Sequence, residues 1–169
     1  VHTYNAEELG ADAQTGQTVT IAGRTIFLRN TGKLCFVRLR EGDGTEIQAM
    51  LSLAEVGEES LADFKSLVDL GDHLAVTGEV ITSRRGELSV MTTSWQLAAK
   101  TLRPLPVEHK PLSDEARTRM RYVDLIVREE ARDNVRVKAA VLKSLRATLD
   151  RNGFIEVETP VLQHTNGGA

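Results

Sequence analysis

Between Arg24 and Glu41 the chain carries five basic side chains, Arg24, Arg29, Lys33, Arg38 and Arg40, with no acidic residue among them and with Phe36 in their midst. Guanidinium groups hold phosphate or stack on bases, and an exposed aromatic ring gives a nucleobase a stacking surface worth on the order of 1–3 kcal/mol. Gln48 and Glu87 add an amide and a carboxylate, which pair with the donors and acceptors of a base edge. A carboxylate repels phosphate, so Glu87 would contribute specificity and not bulk affinity. These are the parts of a reader of single-stranded RNA. The net charge of −3 agrees with local recognition and argues against a protein that holds nucleic acid by bulk electrostatics.

Such chemistry requires one surface, and strand alternation supplies it. In "KLCFVRLR" Cys35, Val37 and Leu39 share one face, leaving Phe36 and Arg38 on the other. In "TEIQAMLSL" Ile47, Ala49 and Leu51 point inward, so Glu46, Gln48 and Met50 point out. In "GELSVMTTSWQL" Leu88 and Val90 point inward, which places Glu87 and Ser89 outside. A strand from "TVTIAGRTIFLRN", with Gly23 as a bend, precedes these, and "DHLAVTGEVIT" forms a fourth. Leu61, Phe64, Leu67 and Val68 fall at helical spacing between the third and fourth strands, and Gly71 stands past the helix end. Three strands, a helix and two strands are the order of the OB-fold, a five-stranded Greek-key barrel that binds oligonucleotides on its strand 2–3 face.

Other chemistries find little support. The four histidines are scattered without metal-ligand spacing, so no metal site is expected. The single cysteine, Cys35, lies on the inward face and reads as a buried structural thiol of a reducing, cytoplasmic compartment. No apolar run is long enough to span a membrane, and "VHTYNAEELG" is not a signal peptide. No nucleophile–base pair or phosphate-cradling glycine loop is present, so no catalytic residue is expected. Glu156 and Glu158 share a strand face but read as a charged edge.

Beyond residue 100 the pattern changes. Three of the four prolines fall between Pro104 and Pro111, a stiff connector. Ser113 is placed to cap a helix with Asp114 and Glu115 in its first turn. A longer helix over roughly 132–151 carries the stripe Val135, Ala139, Leu142, Leu145 and Leu149 and ends at Asn152-Gly153. "FIEVETP" then reads as a strand stopped by Pro160. Two helices and one strand without a partner do not close a domain, which predicts a piece of a longer chain. The expected division is an N-terminal segment 1–16, the barrel 17–100, the linker 101–112 and the truncated opening of a second domain, mainly helical with one strand, over 113–169.

"GKLCF", "DGTEIQAML", "DLGDHLAVTGEV", "RRGELSV", "AAKTLRPLP", "RYVDLIV" and "GFIEVETPVLQ", followed by "GGA", occur in this order. Together they resemble the N-terminal half of class II lysyl-tRNA synthetases of bacterial type, from about residue 19 onward. The resemblance implies that the barrel binds the tRNA anticodon loop: Phe36 stacks on an anticodon base, Gln48 and Glu87 read the central uridine, and Arg29 contacts the same bases or their phosphates; Lys33 and Arg38, from the same basic run, are expected at that site with it. It further implies an α+β class II core segment from residue 113. There Leu142, Leu145, Leu149, Phe154 and Pro160 match the motif 1 dimer interface, and Gly167 and Gly168 border the lysine pocket of the parent. ATP and Mg2+ would serve the full-length homodimeric enzyme, which activates lysine and transfers it to tRNA. Motifs 2 and 3 are missing, so these residues by themselves should be inactive and need no cofactor, membrane or DNA. An aspartyl- or asparaginyl-type synthetase, a non-catalytic single-strand-binding OB module and a dimerisation segment remain as alternatives.

Overall fold

The computed structural model describes residues 4–106 and 112–160. The chain divides into two compact units, Val1–Lys110 and Pro111–Ala169. In the first, a short helix α1 (Ala6–Leu9) precedes β1 (Gln14–Asn30), β2 (Leu34–Arg40) and β3 (Glu46–Ser52). Two helices, α2 (Leu53–Val56) and α3 (Glu58–Leu67), lead to β4 (His73–Thr82) and β5 (Leu88–Ala99). The strands close into a barrel in the order β1-β2-β3-β5-β4, antiparallel except for the β3–β5 pair. This is the OB-type barrel, with a helix between its third and fourth strands, that the order of elements predicts.

The two-residue period of the strands decides what is buried. Cys35, Val37, Leu39, Ala49, Leu51, Leu74, Val76 and Val90 fill the interior, and α3 seats Leu61 and Phe64 on the same core. Phe64 meets Trp95 edge-to-face at 5.3 Å, and the Trp95 indole N–H donates to Ser60 Oγ at 2.9 Å. Burial raises the pKa of the Cys35 thiol, in keeping with a structural role. Closure also depends on Gly78, where β4 shifts register against β5: a Cβ built there would lie 2.0 Å from the Met91 carbonyl oxygen.

A buried carboxylate fixes the approach to β4. Asp72 has no solvent-exposed surface. It accepts from the Thr101 N–H at 2.7 Å, the Asp69 N–H at 2.8 Å and Lys100 Nζ at 2.8 Å. Burial alone would push this carboxyl up, but the Lys100 and backbone hydrogen bonds outweigh it and hold the pKa below the usual carboxylate value.

Two details of the barrel differ from expectation. The irregularity in β1 falls between Thr25 and Phe27, not at Gly23; Gly23 instead permits close approach to β2, since a Cβ there would meet the Arg40 carbonyl at 3.0 Å. Ser89 lies on the outer side with its ladder partner Gln48, as alternation expects, but it is fully buried there and not exposed. It sits where β5 lies parallel to β3, and its hydroxyl is used there by both neighbours, as described below.

In the second unit Ser113 Oγ accepts from the Ala116 N–H and caps α4 (Asp114–Arg119). Helix α5 (Arg121–Val127) follows, then α6 (Glu129–Arg151), which begins three residues before its expected start. Buried Asp124 joins α5 to α6 by accepting from Arg121 Nη1 at 3.0 Å and Arg128 Nη1 at 2.9 Å. Gly153, at φ 80°, follows the last turn of α6 as a left-handed terminator. The expected strand "FIEVETP" is not observed: Phe154–Pro160 lie outside any ladder and are exposed, because no neighbouring strand in the described residues offers backbone groups to pair with.

Candidate nucleic-acid interface

The ladders bring Arg29, Phe36, Arg38 and Gln48 onto one outer face. Arg29 stands opposite Phe36 across β1 and β2, Arg38 opposite Gln48 across β2 and β3, and Gln48 opposite Ser89 across β3 and β5. The Arg29 guanidinium lies over the Phe36 ring, 4.4 Å from its centroid, in a cation–π contact, so the ring already carries one flat group. Phe36 is half-buried, and Arg29 covers its ring in the free protein, so a base stacking there takes the place of the guanidinium.

Glu87 stands just before β5, at the end of the turn from β4. Its N–H donates to Ser83 Oγ at 3.1 Å, and the Ser83 N–H donates to the Glu87 carbonyl at 2.8 Å, so the backbone of the turn is fixed while the carboxylate extends outward. Arg38 Nη2 donates to Glu87 Oε1 at 3.0 Å, and the same guanidinium lies 4.0 Å from Glu46, which pairs on its other side with Arg40. Both members of the Arg38–Glu87 pair are exposed, so water screens the attraction and the pair opens at little cost. Arg38 therefore orients Glu87 in the free protein and is not a bare phosphate-seeking charge.

Gln48 is held from below. Its Nε2 donates to Ser89 Oγ at 2.9 Å, and that hydroxyl donates to the Glu87 carbonyl at 3.0 Å. The chain Gln48–Ser89–Glu87 links the amide on β3 to the backbone that presents the carboxylate. Alternation treats Ser89 as a surface residue and misses this bridge; a small hydroxyl residue two positions beyond Glu87 is the only trace of it in the sequence. Arg38, Glu46, Ile47, Gln48, Glu87 and Leu88 line a hollow of about 320 Å³, with Phe36 one pleat away along β2. A planar ring on Phe36 and a base edge turned toward this hollow would meet a donor and an acceptor together.

The remaining sequence-selected residues are placed differently. Lys33 lies in the β1–β2 turn, exposed, and its carbonyl accepts from the Leu53 N–H at 2.8 Å. Leu142, Leu145, Leu149 and Phe154 are 42–63% exposed on and after α6, in a different unit from the barrel. Pro160 is also exposed, and Gly167 and Gly168 lie outside the described residues. Among the described residues no group of three or more His, Cys, Asp or Glu side chains could hold a metal ion, and no helix is long and apolar enough to cross a membrane.

Comparison with known proteins agrees with both units. The family described as OB-fold nucleic acid binding domain matches residues 19–98, and that of tRNA synthetases class II (D, K and N) matches residues 113–169. The lysine–tRNA ligase of Mycolicibacterium gilvum is 59% identical over 162 residues, which are 96% of this chain and 32% of that protein. The lysine–tRNA ligase of Kineococcus radiotolerans is 59% identical over 161 residues, 95% of this chain and 32% of that protein. A lysylphosphatidylglycerol biosynthesis bifunctional protein of Mycobacterium ulcerans is 44% identical over 169 residues, 99% of this chain and 15% of that protein. The chain spans about a third of the length of the lysine–tRNA ligases it matches. Over nearly its whole length the chain is thus similar to about a third of the length of bacterial lysine–tRNA ligases, its first unit matching the OB-fold nucleic acid binding family and its second the class II tRNA synthetases.

Proposed function

We propose that the outer face of β1, β2 and β3 reads the anticodon loop of a lysine tRNA, with Phe36 as the stacking platform and Gln48 and Glu87 as the readers of the central base. The observation that carries this reading is the placement of an aromatic ring, capped by the Arg29 guanidinium, beside an anchored amide and an oriented carboxylate on one barrel surface. Uracil presents an N3–H donor between two carbonyl acceptors. The Glu87 carboxylate suits the N3–H, and the second N–H of the Gln48 amide, unused by Ser89, suits a carbonyl. Arg29 and Lys33 then serve the flanking phosphates or bases, and Arg38 is released from Glu87 as the base enters.

In the whole protein this domain would deliver tRNA to a cytoplasmic class II catalytic core that activates lysine with ATP and Mg2+ and transfers it to tRNA. No step through ATP or Mg2+ is assigned to the described residues, among which no group of three or more His, Cys, Asp or Glu side chains could hold a metal ion. The exposed stripe of α6 with Phe154 and Pro160 suits a dimer interface in that whole protein. The division into an N-terminal segment, barrel, linker and core segment near residues 16, 100 and 112 belongs to the same proposal.

The test is a binding isotherm of the chain with a short RNA hairpin whose loop carries UUU. Substituting Phe36→Ala should weaken binding by about 1–3 kcal/mol through lost stacking. An unchanged isotherm contradicts the assignment of Phe36.

A further inference from the structure

The irregularity in β1 has a consequence for the same face. Thr25 stands opposite Leu39 and Phe27 opposite Arg38, so Ile26 is an extra residue and the strand changes sides there. Thr25 is fully buried, and unbroken alternation would carry Phe27 into the core with it. The bulge turns Phe27 outward instead, onto the side of Arg38 and Phe36, where it is 48% exposed. It is the only exposed aromatic among the described residues of the first unit. A ring left about half exposed outside the hydrophobic core by a device of the backbone has a face to offer, and its position suits a ligand.

Its surroundings indicate which ligand. Across β1 and β2 Phe27 is diagonal to Phe36, a spacing of about 7–8 Å in an antiparallel ladder. Arg38 lies directly opposite Phe27, and Arg29 lies two residues further along β1 on the same face. An aromatic platform flanked by guanidinium groups, one step from the platform at Phe36, matches the next unstacked nucleobase of a single strand laid over the sheet. We infer that Phe27 is a second stacking platform, which takes the nucleobase adjacent to the one held on Phe36. This rests on the RNA-loop reading above and extends it to a neighbouring position.

The probe is the UUU-loop hairpin carrying 2-aminopurine at one or the other loop position beside the central base, titrated with the chain. Stacking of one flanking base on Phe27 should quench its fluorescence at saturation. Phe27→Ala should weaken binding about 5- to 10-fold and abolish that quenching. Phe27→Leu, which keeps apolar bulk and removes the ring, should bind as weakly as the alanine variant with an unchanged melting temperature, and Phe27→Trp should restore affinity and quenching. The slope of affinity against salt should not change, because no charge is removed. Wild-type affinity in Phe27→Leu, or no quenching at either flanking position, overturns the proposal while Phe36→Ala still weakens binding. If Phe36→Ala is also without effect, the RNA-loop reading falls with it.

Discussion

In the barrel Val37, Leu51, Leu74, Val76 and Val90 are wholly excluded from solvent, whereas in α6 Val135, Leu142, Leu145 and Leu149 are each 42–55% exposed. Both regions carry apolar residues at the period of their secondary structure, yet only the barrel closes around them. A closed sheet has no unpaired edge and satisfies its own backbone and core. A single amphipathic helix satisfies its backbone but leaves its apolar stripe for something else to cover. The contrast separates a barrel that closes around its own core from a helix whose apolar stripe nothing among the described residues covers, and it can be broken at several points.

The largest effect should come from the barrel's closure. Gly78→Ala places a Cβ against the Met91 carbonyl and should cost about 3–5 kcal/mol, because backbone on both sides must move. Trp95 is the only tryptophan and lies in β5, so its fluorescence reports this loss directly. A wild-type melting midpoint in that signal would show that closure does not depend on the β4–β5 approach.

Next comes Asp72→Asn, which leaves Lys100 without its buried partner and should cost about 2–4 kcal/mol at neutral pH. The folded pKa of Asp72 lies below its unfolded value. Its contribution is therefore fully present above the unfolded carboxylate pKa, near 4, and is lost as pH falls through the depressed folded value. Denaturant midpoints of wild type and variant should converge in acid; a constant gap from pH 7 to pH 2 would contradict the role given to the charge.

The smallest effect on the barrel should follow a change in α6. Leu145→Glu should leave hairpin affinity and the Trp95 transition within about 0.5 kcal/mol of wild type, while reducing any self-association seen by light scattering. A weakened RNA affinity would mean that the two units are not independent in function.

Much of this was legible in the sequence because strand alternation and strand order are local signals. Cys35, Val37 and Leu39 announce their face without help, and five strands around one helix leave few topologies. What was not legible depended on partners distant in the chain. Ser89 is buried because β5 runs parallel to β3 at that point, and no residue near Ser89 encodes the pairing. Phe27 changes sides at a bulge that carries no glycine, so its sequence gives no warning. The residues 154–159 have the composition of a strand, but a strand is a property of two segments and the described residues contain only one of them. Face assignment and the family resemblance both pointed to Phe36, Gln48 and Glu87; the ladders put Phe36, Arg38 and Gln48 on one side of the barrel, and the ion pair with Arg38 holds Glu87 beside them.

The central claim is that Glu87 reads the central base of an RNA loop, and a thermodynamic cycle addresses it directly. Affinities are measured for hairpins with U or C at the central loop position, with the wild-type chain and with Glu87→Gln. Wild type should prefer U by about 1–3 kcal/mol, and the variant should lose most of that preference while changing its affinity for the C hairpin little. An identical preference in the two proteins would contradict the assignment of Glu87 as the reader.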